Sequence, residues 1–145
     1  MAFNPTVGTR TALTVTGLST LASATYVQSN DYVPNTNKPA DVIVEVTCAT
    51  TNTPAGNKQV VVFLQESLDG TNYRTGPTSG TTTTDEPDLL FCGTVPMNTA
   101  STDHRMTFSV NNTLGYVPRN FKLVLKNDLG VALTSGTVYT AEITY

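Results

Sequence analysis

Few residues in this 145-residue chain could do chemistry. The single histidine, His104, follows Asp103, and serines are abundant, so the residue types of a Ser–His–Asp hydrolase are present. Such a triad needs its serine on a strained turn beside the base, and the sequence has no G-x-S-x-G motif. We therefore expect no catalytic residues, and we expect His104 to be an ordinary polar residue at the start of a strand.

Acidic residues form two further groups that could act as bases or bind Ca²⁺. Asp85, Glu86 and Asp88 lie in a Thr-rich segment with nothing predicted to bury them, which does not favour acid–base chemistry. Neither this group nor Asp69-Gly70-Thr71-Asn72 has the spacing of a calcium-binding loop. A tight turn explains Asp69-Gly70, because glycine accepts the positive φ that such turns require. We expect no metal and no cofactor.

Cys48 and Cys92 are the only cysteines, and each lies within an apolar run. Cysteine behaves as a small hydrophobic residue in a protein core, so two buried free thiols are the favoured interpretation and a disulfide is the alternative. Two cysteines and one histidine are too few for a zinc site, which needs about four ligands.

Composition narrows the class of protein. Threonine occupies 28 of the 145 positions, which is typical of β-structure. Eight basic residues are scattered against 11 acidic ones, giving a net charge of −3, so we expect neither nucleic acid nor a membrane as partner. No run approaches the roughly 18 apolar residues of a membrane helix. A signal peptide ending near Ala22-Ser23-Ala24 is an alternative for the first residues, but threonines interrupt its apolar run.

Alternating apolar and polar residues predict an all-β fold, an antiparallel β-sandwich and in particular a jelly roll. Residues 1–10 are predicted to form an extended N-terminal arm, either disordered alone or laid against a neighbour, and residues 11–145 a single β-sandwich domain. The loops are predicted at Gln28–Ala40 and at Gly76–Asp88, the latter flexible and exposed. The predicted strands are Thr11–Thr16, Leu21–Val27, Asp41–Cys48, Gln59–Ser67, Tyr73–Thr75 as the return of a hairpin, Leu89–Val95, His104–Val110, Phe121–Lys126 and Thr137–Tyr145.

The same alternation predicts which side chains face the core. Three strands have a clear apolar face, and the central part of Gln59–Ser67 is apolar on both faces, so that strand should be covered on both sides. The residues predicted to face inward are Val42, Val44, Val46 and Cys48, then Met106, Phe108 and Val110, and finally Tyr139, Ala141, Ile143 and Tyr145.

Four tyrosines, Tyr26, Tyr32, Tyr73 and Tyr116, could be exposed and could stack on sugars, although the chain has no tryptophan. Tyrosine at a strand end more often packs its ring at the rim of a sheet. A carbohydrate-binding or adhesive module, as in a tail fibre, is therefore the alternative function.

One hairpin motif resembles a known family. The segment Val61–Tyr73 joins an apolar strand, a Ser-x-Asp-Gly turn and an aromatic return, as in the jelly-roll capsid cement, or decoration, proteins of tailed bacteriophage heads. Val95-Pro96, Pro118–Leu123 and Thr134–Ala141 are similar to the second half of that family. The resemblance covers about Asp41 to Tyr145, and the long loop Thr78–Asp88 departs from it.

The resemblance implies a virion structural protein without catalytic residues. Such a protein is assembled in the host cytoplasm, binds the major capsid protein on the outer surface of the head and stabilises the lattice. We also expect self-association, as a homodimer or homotrimer. Exposure and composition suggest that the contacts come from the arm and from the loop Asp31–Asn37. The candidate contact residues are Phe3, Asn4, Pro5, Arg10, Asp31, Tyr32 and Asn35.

Overall fold

A computed structural model of the protein describes residues 3–35 and 38–145. These residues form two antiparallel sheets packed face to face, so the prediction of an all-β sandwich is confirmed. The helical elements are two 3₁₀ turns, Leu18–Thr20 and Glu86–Asp88, and one short helix, α1 (Val110–Leu114). The strands are β1 (Thr6–Val7), β2 (Thr11–Ala12), β3 (Tyr26–Gln28), β4 (Asp41–Ala49), β5 (Gln59–Ser67), β6 (Leu90–Pro96), β7 (His104–Ser109), β8 (Asn120–Asp128) and β9 (Ser135–Thr144).

The strands pair in a nested order, in which strands near the two ends of the chain pair with each other and strands nearer its middle pair with each other. Sheet A has the order β1-β9-β4-β7, with β2 also paired to β9, and sheet B has the order β3-β8-β5-β6. The first strands therefore pair with the last one, β3 pairs with β8, β4 with β7, and β5 with β6. A long two-stranded ribbon that folds over itself produces this order, with successive pairs in alternate sheets.

The core lies between the sheets and is built from alternating strand residues. Val42, Val44 and Val46 of β4 are at most 1% exposed and face sheet B, as predicted. Strand β5 is buried on both faces, which confirms the prediction that it is covered on both sides. Aliphatic residues after and between the strands close the ends of the core: Leu18, Leu21, Met97, Leu129 and Leu133.

The predicted inward face of β9 is wrong. Val46 pairs with Val138 and Val44 with Thr140, and residues directly opposite each other share a face of the sheet. Val138 and Thr140 are each 3% exposed and point inward with the valines of β4. A one-residue difference in register reverses every side chain of a strand, so Tyr139, Ala141 and Ile143 point outward, and Tyr145 after them is 76% exposed.

The predicted inward face of β7 is correct, but its burial is incomplete. Met106 lies opposite Val46 on the inner side of sheet A, yet its side chain is 41% exposed. Phe108 is half-buried, and Val110 is buried at the start of α1 rather than within the strand. The reason is position, because β7 is the edge strand of its sheet.

The predicted hairpin return at Tyr73–Thr75 is wrong as well. Residues 73–75 form no strand, and β5 is flanked by β6 and β8 instead. What remains is a tight turn in which the Asp69 carboxylate accepts hydrogen bonds from the backbone N–H groups of Thr71 and Asn72, each 2.8 Å. These bonds keep the pKa of Asp69 below its usual range.

The two cysteines are free thiols, as the favoured interpretation predicted. Cys48 is buried between the sheets and Cys92 is half-buried in β6. Burial raises the pKa of Cys48 to about 12 and that of Cys92 to about 11. Both side chains therefore act as core residues rather than as nucleophiles.

Candidate contact surface

The solvent side of sheet A carries a group of neighbouring apolar side chains. Val7 of β1 lies opposite Ile143 of β9, and Ile43 of β4 lies opposite Ala141. These four side chains share the outer face, where Val7 is 67% exposed and the other three are half-buried. We call this outer face, together with the segment 3–12 along its edge, the arm face.

From Phe3 onward, the predicted N-terminal arm lies on its own sandwich, and residues 1–2 of the predicted arm lie outside the described residues. Strand β1 pairs with the end of β9, the Gly8 N–H donates to the carbonyl of Glu142 at 2.8 Å, and β2 continues the pairing. A Cβ at Gly8 would lie 3.2 Å from that carbonyl oxygen, so glycine allows the close approach. The arm is thus an edge strand of sheet A.

The arm residues predicted as contacts are all exposed. Phe3 is 74% exposed and packs edge-on against Tyr145, with ring centroids 6.1 Å apart. Asn4 and Pro5 follow Phe3 at the surface. The free end of the arm therefore extends the apolar surface of the arm face with two aromatic rings.

A charged cluster forms the other end of the arm face. The Arg10 guanidinium lies 3.3 Å from the centroid of the Tyr139 ring, and its Nε donates to Oε1 of Glu45 at 3.0 Å. The hydrogen bond with Glu45 raises the pKa of Arg10. The Arg105 Nε lies 3.7 Å from the same Glu45 oxygen and donates to Oγ1 of Thr47 at 3.1 Å. Two guanidinium groups around one carboxylate leave this end with an excess positive charge.

The loop residues predicted as contacts also attach their loop to the rest of the sandwich. Asp31 accepts hydrogen bonds from the Tyr73 hydroxyl at 2.6 Å and from Asn120 Nδ2 at 2.7 Å. The Tyr32 ring packs 4.8 Å from that of Phe121. Thr36 and Asn37 of the predicted loop lie outside the described residues.

Tyr32 and Asn35 meet at one carboxylate. The Tyr32 hydroxyl and the Asn35 N–H both donate to Oε1 of Glu142, at 2.9 and 2.6 Å. Partial burial, together with this carboxylate, raises the pKa of Tyr32 above its usual range. A groove of about 590 Å³ runs between this loop and the arm at Gly8 and Thr9. Glu142, whose Oε1 already accepts these two hydrogen bonds, is among the residues that line the groove. The groove therefore lies between the loop and the arm.

The candidate contacts therefore separate into two groups. Phe3 and Arg10 lie at the two ends of the arm face, whereas Tyr32 and Asn35 lie beside it at Glu142. Sequence reasoning missed Ile143 because it assigned the apolar face of β9 to the core, and it did not single out Val7 within the arm. The inward valines of β4 determine the face of every strand paired with it, but only once the pairing register is known.

Two groups considered for catalysis, His104 and Glu86, have hydrogen-bond partners within the chain. Nε2 of His104 lies 3.2 Å from the carbonyl oxygen of Thr99. Glu86 is not the solvated carboxylate that the sequence predicted. Partial burial opposes its ionisation, but hydrogen bonds from Lys126 and Tyr26 outweigh burial and lower the pKa of Glu86. Among the described residues, no three His, Cys, Asp or Glu side chains are grouped to hold a metal ion.

The four tyrosines proposed as sugar platforms do not form one surface. Tyr26 is 3% exposed, in agreement with the favoured packing at the sheet, and Tyr32 and Tyr73 are half-buried with their hydroxyls bound to carboxylates. Tyr116, in the connection after α1, is 43% exposed.

No protein-family model matches the chain, and no curated protein matches it. Over residues 3–35 and 38–145, the structure contains no helix with the length and apolar character needed to cross a membrane.

Proposed function

We propose that this protein is a capsid decoration protein, which binds the outer surface of a bacteriophage head and stabilises its lattice of major capsid proteins. The observation that carries the proposal is the arm face. Its apolar centre, aromatic end and positively charged end provide the three kinds of contact that protein–protein interfaces use. In this proposal the protein has no catalytic role, and it is part of the virion after assembly in the host cytoplasm.

The arm face supports binding to a protein because its exposed apolar residues are contiguous. Single apolar residues at a surface need no explanation, but a contiguous patch marks an interaction site. Val7 and Ile143 lie opposite each other across two strands, and Ile43 extends the patch to a third strand. Arg10, held flat on Tyr139, is well placed to donate to a carboxylate of the partner.

The fold agrees with this function. The nested strand pairs support a jelly roll, the fold of the resembled decoration proteins. A rigid sandwich that carries its contacts on one sheet can bridge neighbouring subunits without changing shape. Because it would bind only assembled subunits, it would stabilise the lattice by mass action.

Sedimentation with undecorated phage heads tests the proposal. Purified protein is added to heads that lack outer decoration, and both the bound copies per head and the temperature of head rupture are measured. We expect saturable binding and a higher rupture temperature. Val7→Asp should weaken binding about tenfold, because it places a charge in the centre of an apolar contact.

Phe91→Asp is the matched control, because Phe91 is 58% exposed on the outer face of the other sheet. It should bind heads like the natural chain. Removal of residues 1–9 should lower occupancy further. Absence of binding to any cognate head would reject the proposal, and retention of the protein on glycans through Tyr116 would support the adhesive module instead.

A further inference from the structure

The four edges of the two sheets differ in how they are protected from pairing with another chain. In sheet A, β1 and β2 are two residues each and are separated by a short link. In sheet B, β3 has three residues, and Gly80 bridges to Tyr26 on its open side. Strand β6 bulges at Cys92, where its register against β5 shifts, and ends at Pro96. Short strands, bulges, covering loops and proline all prevent edge pairing.

Strand β7 has none of these protections. Its six residues pair with β4 in an unbroken register, and the sequence from His104 to Ser109 contains no proline and a single formal charge, Arg105. In the part of the chain that the structure describes, β4 is its only strand partner. The side chains of Arg105, Met106 and Thr107 are exposed along it. Strand β6 lies close to β7, but among the described residues no backbone hydrogen bond forms on the open side of β7. These backbone groups are therefore available to another strand.

We propose that a second copy of this chain pairs with β7, antiparallel, about a two-fold axis at Thr107. In this register Thr107 faces Thr107 of the second copy, Met106 faces Phe108, and Arg105 faces Ser109. No like charges oppose each other, and both the threonine pair and the methionine–aromatic pair are favourable cross-strand contacts. A partly exposed methionine becomes covered at the same time.

The symmetry of this contact determines the size of the assembly. A strand paired with its own copy uses the same surface on both subunits, so the contact closes at two copies and forms neither a trimer nor a filament. The two A sheets become one continuous sheet with both arm faces on the same side. The dimer does not depend on the proposed capsid function, although it would double the contacts to any lattice.

Sedimentation velocity on the full chain tests the pairing. With rising concentration we expect a species of twice the monomer mass of 15.4 kDa. Thr107→Lys places two ammonium groups opposite each other and should raise the dimer dissociation constant about tenfold. Thr137→Lys is the control, since Thr137 is an exposed threonine on the same face but on β9, away from the edge. It should leave the dimer unchanged.

A cysteine cross-link tests the register. Residues facing each other across an antiparallel pair have Cβ atoms about 4.5–5.5 Å apart, close enough for a disulfide after a small adjustment. With oxidised glutathione as the oxidant, Thr107→Cys should give a covalent dimer and Thr137→Cys should not. Three results would overturn the proposal: a monomer at every concentration without a Thr107→Cys cross-link, a trimer, or a dimer that Thr107→Lys leaves intact. The last result would assign self-association to another surface.

Discussion

The outer faces of the two sheets differ in how far the chain covers their apolar side chains. Sheet B carries an apolar patch of Val61, Phe63, Val124 and Tyr26, and the chain covers it with its own loop, which places Leu89 on the patch with 6% exposure. Sheet A carries a patch of similar character, and there Val7 remains 67% exposed. The same chain therefore buries one outer patch and leaves the other accessible.

This difference contrasts a surface that stabilises the fold with the proposed contact surface. Covering the patch on sheet B adds a second small core, and the ion pair of Glu86 with Lys126 at 2.7 Å attaches the covering loop to β8. The sequence predicted this loop to be flexible and exposed. The predicted exposure is confirmed for Thr81–Thr84 and is wrong for Glu86, which is partly buried. Leu89, predicted as the first residue of a strand, lies just before β6.

The largest expected effect comes from removing the cover of sheet B. Leu89→Ala should lower the free energy of unfolding by about 3 kcal/mol, because it removes a buried side chain and leaves a cavity above Phe63 and Val124. Urea denaturation measures the change. Leu68→Ala is the matched control, because Leu68 is 75% exposed and should change stability by less than about 0.5 kcal/mol. Equal losses in the two variants would show that the loop does not bury the patch.

A smaller effect is expected from the ion pair that attaches the loop. Glu86→Gln should cost about 1 kcal/mol at neutral pH, because the pair with Lys126 is only partly exposed. The folded state lowers the pKa of Glu86 from 4.5, so its stabilisation is present above that value and is lost as the pH falls through the lower folded value.

Urea denaturation at pH 7 and in acid measures this dependence. The difference between Glu86→Gln and the natural chain should disappear in acid. Asp85→Asn changes the exposed neighbouring carboxylate and should behave like the natural chain at both pH values. A difference that persists below the folded pKa would mean that packing, not charge, attaches the loop.

The sequence predicted most strands correctly but missed part of the arm face, for a physical reason. Strand β4 alternates so strongly that its inward face is certain from sequence, as Val42, Val44 and Val46 show. In β9 the residues Tyr139, Ala141 and Ile143 suggest one apolar face, but the opposite face carries Val138, so the alternation is weaker than in β4. Only the pairing of β9 with β4 reveals that these residues face outward, and such pairing between distant strands is not encoded locally.

The smallest stability effect is expected on the arm face itself. Val7→Ser should change the free energy of unfolding by less than about 0.5 kcal/mol, because the valine is 67% exposed and buries little surface in the isolated chain. Thermal unfolding of the purified protein measures it, with Val44→Ser as the contrasting variant, since Val44 lies in the same sheet but is 1% exposed. If Val7→Ser were as damaging as Val44→Ser, the arm face would be part of the folding core. A neutral Val7→Ser would mean that stability of the isolated chain does not require this apolar side chain, which leaves binding as the reason for its presence.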